Sequence, residues 1–71
     1  MPDGFFLHLE RAAIFDSYRM YGSVAAEYDA ALEAAPESVD LLRAAITAHS
    51  RIGDLRRARD LRDKLQQVEA Q

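Results

Sequence analysis

The sequence has no cysteine, only three glycines and two prolines, and no long apolar run. Without cysteine no disulfide can brace the fold and no thiolate can hold a metal. Three scattered glycines cannot build a phosphate-cradling loop. The opening Met1-Pro2-Asp3-Gly4 has no basic stretch, and no apolar segment long enough to span a bilayer follows. Secretory and transmembrane readings both fail, so no membrane partner is expected. A mitochondrial presequence would be rich in arginine and poor in acids, which this start is not. A cytoplasmic protein is expected, with a matured organellar protein as the alternative.

Seventy-one residues make one domain at most. So short a chain hides little of its surface on folding, and stability must come from close helix packing, self-association or docking onto something larger. Ala, Leu, Arg, Glu and Asp dominate, which favours helix. A hydrophobic content of 49% is too high for a disordered chain. The net charge of −3 is unevenly spread. Residues 1–40 hold eight acids and two arginines, whereas residues 41–71 hold seven bases and four acids. Such runs are usually solvated helix faces, but they also make a bipolar molecule.

Periodicity divides the chain into four helices and no strands. The first runs from about Phe5 to Tyr18, with Asp3 as a possible N-cap and Phe5, Leu9, Ala12 and Phe15 at helical spacing. The second runs from about Met20 to Ala34. Its apolar stripe is Val24, Tyr28, Ala31 and Leu32, and Pro36 forces its end. The third follows Ser38, an N-cap candidate, and carries Leu41, Leu42, Ala45, Ile46 and His49. Gly53 can take the left-handed conformation after it, and Asp54 can cap the fourth helix, about Leu55 to Val68. Leu55, Ala58, Leu61, Leu65 and Val68 are the apolar line of that last helix. Short links make neighbouring helices antiparallel, so the expected fold is all-α, two helical hairpins in succession.

An offset of 34 residues places Ala12 on Ile46, Phe15 on His49, Tyr21 on Leu55, Val24 on Ala58 and Ala31 on Leu65. Small or apolar residues thus meet small or apolar residues at the packing positions. Ala12, Phe15, Tyr21, Tyr28, Ala31-Leu32 and Pro36 in one half, and Leu42, His49, Gly53-Asp54, Leu55 and Ala58 in the other, resemble the tetratricopeptide repeat. AHSRIGDLRRARDL and EYDAALEAAPES match that pattern best. The resemblance implies a short right-handed solenoid, with repeat one over residues 5–38, repeat two over 39–68 and a tail at 69–71. Arg19 and Met20 depart from the pattern, which turns through glycine and a small polar residue. So do Arg11 and Arg62, which stand at places usually apolar or aromatic.

ITAHSRIGDLRRARDLRDKL is also similar to the pentatricopeptide family, which reads single-stranded RNA with a polar side chain early in the first helix of each repeat. The matching position is Ala44, which has no hydrogen-bonding group, and the acidic balance opposes phosphate. An RNA-binding or ribonucleoprotein component is therefore the alternative reading, with nucleic acid set second to a protein partner.

Catalytic chemistry finds no support. His8 and His49 are the only histidines, too few and too far apart for a metal site, and His49 falls where the family has a packing aromatic. The serines lack a base and an orienter at a recognisable spacing. No enzyme, cofactor or metal is expected. What remains is a binding module: an adaptor, a chaperone-like cofactor or a small subunit of a complex. Stacked hairpins line a concave face with their first helices. That face would carry Phe6, Leu9, Ala13 and Asp16 from repeat one, and Asp40, Arg43, Thr47, Ser50 and Arg51 from repeat two. Phe5, Phe6, Leu7 and Leu9 at one end, and Leu61, Leu65 and Val68 at the other, would be left for a second copy or a larger assembly to cover. The expected partner-binding residues are Phe5, Phe6, Leu9, Asp16, Arg43, Thr47, Arg51, Leu61 and Leu65.

Overall fold

The computed structural model describes residues 4–71 and holds four helices: α1 (Phe5–Ser17), α2 (Tyr21–Ala34), α3 (Val39–Arg51) and α4 (Leu55–Glu69). No strand occurs among the described residues. Each helix packs on the next in sequence, α1 on α2, α2 on α3 and α3 on α4, and among the described residues the backbones of other helix pairs stay apart. The result is an all-α stack of two hairpins, flat in outline at 35 × 30 × 13 Å.

The 34-residue offset is written into the backbone. α3 begins and ends 34 residues after α1, and α4 begins 34 residues after α2. Both hairpin turns use the same bonds. The Met20 N–H donates to the Phe15 carbonyl at 2.9 Å, and the Asp54 N–H donates to the His49 carbonyl at 2.9 Å. One residue earlier, Arg19 donates to Asp16 and Gly53 to Ser50. This pair of bonds is the Schellman helix ending, and it requires a left-handed residue at its apex. Gly53 takes that conformation with φ 78°, and Arg19 is forced into it with φ 59°. An L side chain there costs roughly 1–2 kcal/mol.

The helix starts differ between halves. The Ser38 hydroxyl accepts from the Leu41 N–H, and the Asp54 carboxylate accepts from the Arg57 N–H, so α3 and α4 are both capped. α1 starts from Gly4 and α2 from Met20, and neither has a side-chain cap. Asp3, the cap expected for α1, lies outside the described residues. α1 ends one residue earlier than its apolar pattern suggests, because Tyr18 is already part of the turn.

The main core joins Phe5, Ala31, Leu32, Leu41, Leu42, Ala45 and Leu61, with Leu9, Ile46, Leu65 and Val68 leaning on it. A second cluster holds Ala12, Val24, Ala25 and Ala48, with Phe15 and Tyr28 against it. Leu61 is 4% exposed and Phe5 8% exposed. This corrects the expectation that the α4 stripe awaits a third repeat. Leu61 is buried and Leu65 and Val68 pack partly buried against the core, whereas Leu55 at the start of the α4 line is 65% exposed. Phe5 likewise belongs to the interior.

Candidate binding groove

The backbones of α1 and α3 do not pack on one another, and α2 packs against both. The trough between them has two recesses. One, of about 420 Å³, is lined by Ala13, Asp16, Val24, Tyr28, Ala44, Thr47, Ala48 and Arg51. The other, of about 370 Å³, is lined by Phe5, Leu9, Tyr28, Ser38, Asp40, Leu41 and Ala44. Tyr28 and Ala44 belong to both, so the recesses form one groove. Alanines on the facing sides of α1 and α3 leave the space open. Helix periodicity sets the rest: Ala13 and Asp16 share an edge of α1, and Ala44, Thr47, Ala48 and Arg51 share an edge of α3.

Charge is concentrated at the ends. Arg51 Nη1 donates to Asp16 Oδ1 at 3.2 Å, tying α3 to α1 across one mouth. The same guanidinium sits 4.7 Å from the centre of the Tyr21 ring, which favours a cation on its face. Both partners of the ion pair are about half exposed, so the tie is weak and can open. Asp40 marks the opposite mouth.

Of the nine residues expected to bind a partner, Phe5, Leu9, Asp16, Thr47 and Arg51 line this groove. Phe5 and Leu9 do so while helping to fill the core. Phe6 is 65% exposed beside it, its ring edge-on to Phe5 with centroids 5.3 Å apart. Arg43 does not join them. It donates to Glu69 at 2.9 Å, toward α4. Leu61 and Leu65 are on the far side, packed into the core. Residue patterns did not single out Val24, Tyr28 and Ala48 as lining. Tyr28 was legible only as part of the α2 stripe; its exposed edge follows from α2 having neighbours on two sides.

A polar cluster ties α2, α3 and α4 together on the opposite side of α2. His49, 6% exposed, shares its Nε2 hydrogen with Asp29, at 3.0 and 3.1 Å from the two carboxylate oxygens. Arg57 Nη2 donates to the same Asp29 at 3.2 Å. Asp54 Oδ2 lies 3.5 Å from His49 Nδ1, beyond ordinary hydrogen-bond length, and that nitrogen has no partner. The two carboxylates approach opposite edges of the ring, so they cannot converge on one ion. Among the described residues no group of three His, Cys, Asp or Glu is placed to hold a metal. Ser50 Oγ is buried without a hydrogen-bond partner, so no base is in place to activate it. Asp60 and Lys64 flank a recess of about 410 Å³ between α2 and α4, over Leu32, Leu42 and Leu61.

No helix among the described residues is long and apolar enough to cross a membrane. No protein-family model matches this chain, no curated protein matches it, and no solved structure matches it.

Proposed function

We propose that this chain is a protein-binding module of tetratricopeptide type, an adaptor or small subunit without catalytic activity, that seats a segment of another polypeptide in the α1–α3 groove. The observation that carries the reading is the groove itself: an open trough with small and apolar walls and a charged residue at each mouth. Such a trough fits a helix or an extended strand of side chains, anchored by apolar contact and oriented by end charges. The 34-residue spacing of the helix boundaries supports the family likeness. Its place of work is the cytoplasm, or an organelle after maturation.

The test compares the parent chain with Ala44→Arg as bait in native extract. Ala44 faces both recesses, so an arginine there fills the groove without entering the core. A protein retained by the parent and lost with A44R supports the reading. Equal retention by both baits, or no retained protein, removes it. A salt-dependent shift of single-stranded RNA in place of a protein would favour the pentatricopeptide reading.

A further inference from the structure

The first hairpin turn bends against its own sequence. It is three residues long, Tyr18 to Met20. No glycine or proline stands between Phe5 and Tyr21, so nothing in that stretch obliges the chain to leave the helix. Arg19 holds the left-handed apex at φ 59°, and Met20 opens α2 without a side-chain cap. Tyr18 and Met20 are both exposed, so neither pins the bend to the core. The second turn is equally long and has neither defect, with Gly53 at its apex and Asp54 capping α4.

Short hinges under strain invite the exchange of a whole element between copies. α1 is suited to such an exchange, because its backbone packs on α2 alone. Its anchors are Phe5 in the main core, Ala12 in the second cluster, His8 on Glu27 and Asp16 on Arg51. The α1 of a second copy, lying in the same seat, makes every one of these contacts equally well. The exchange therefore asks for no new surface.

We propose that two copies of this chain exchange α1 by opening the first turn. Each α1 lies on the α2 of the other copy, with His8 of one against Glu27 of the other and Asp16 against Arg51. One wall of the α1–α3 groove then comes from each chain, so the site is shared between copies. The exchange is reciprocal and closes at two. Across the short turn α1 meets its own α2 at an effective concentration in the range of about 1 mM. Releasing one left-handed side chain is worth roughly tenfold, and two turns open in each dimer, which makes roughly a hundredfold. The dimer therefore dissociates in the range of about 10–100 µM. The exchange stands independently of what the groove binds.

Because α1 must unpack to exchange, the full chain is refolded from urea at about 5 µM and at about 500 µM, and its mass is read by sedimentation velocity. One chain is expected at the lower concentration and two at the higher. In a dimer refolded from isotope-labelled and unlabelled chains, filtered nuclear Overhauser effects connect α1 of one copy to α2 of the other. Arg19→Gly with Met20→Asp installs the turn of the second hairpin and weakens the dimer at least about tenfold. Ile14→Glu, on the exposed side of α1, leaves it unchanged, which separates exchange from association through that face. A single-chain mass at both concentrations would overturn the proposal. So would a dimer that R19G with M20D does not weaken, one that I14E abolishes, one without α1–α2 effects between copies, or a ladder of larger species.

Discussion

The two hairpins share one backbone plan and fill it differently. In the second, both helices are capped by side chains, the turn apex is glycine, and Leu42 and Leu61 meet in the core. In the first, neither helix has a side-chain cap and the apex is Arg19. At the places of Leu42 and Leu61, 34 residues earlier, stand His8 and Glu27, joined at 2.6 Å. The first hairpin carries the uncapped helix starts and the strained apex, whereas the second carries buried polar atoms without a partner, His49 Nδ1 and Ser50 Oγ. Conflicts of this kind gather where a protein does its work. The groove proposed above takes one wall from each hairpin, α1 from the first and α3 from the second.

Thermal unfolding followed by circular dichroism can break this contrast. His49→Ala strikes the second hairpin. It removes a buried ring and its hydrogen bond to Asp29, and should cost about 3 kcal/mol. His49→Phe, which copies Phe15 of the first hairpin, should lose less than half as much; an equal loss would show that the polar cluster, not packing, secures α3. Next in size is the double change His8→Leu with Glu27→Leu. Giving the first hairpin the leucines of the second should raise stability by about 1–2 kcal/mol, since a partly buried ion pair often yields to packed apolar residues. A fall would mean that the pair is well matched to its surroundings.

Smaller again are the turn exchanges. Arg19→Gly relieves the left-handed strain at φ 59° and should gain about 0.5–1 kcal/mol. Met20→Asp places a cap where the backbone angles already match those of Asp54, and should gain about 1 kcal/mol. Together they transplant Gly53-Asp54 into the first turn, and their effects should add. Asp16→Asn is smallest, changing stability by less than about 0.5 kcal/mol in urea unfolding, because the pair with Arg51 is exposed. A larger loss would make that tie a structural strut rather than an opening mouth.

The sequence made the repeat visible because small and apolar residues recur 34 apart, and that spacing sets the helix boundaries observed here. Ser38, Gly53 and Asp54 were readable as punctuation for the same reason: each does locally what its chemistry suggests. The groove was half readable. Asp16, Thr47 and Arg51 fall on it by helical phase, but the destination of Arg43 depends on Glu69, which is 26 residues away and follows no periodicity. The fate of Leu61, Leu65 and Val68 was misjudged from sequence because an apolar stripe does not say which of two possible neighbours covers it. The cluster of His49, Asp29 and Arg57 was invisible as a network, since its members lie on three helices. Only the burial of His49 could be anticipated.

Among the described residues, backbone packing joins helices adjacent in the chain, and side-chain hydrogen bonds alone link α1 to α3 and α2 to α4. No long loop must close before contacts form, so relative contact order is low and folding should finish within microseconds to milliseconds. Nothing clamps the first helix to the last either. α1 can peel away while α3 and α4 stay joined, and its amide protons should exchange with solvent first.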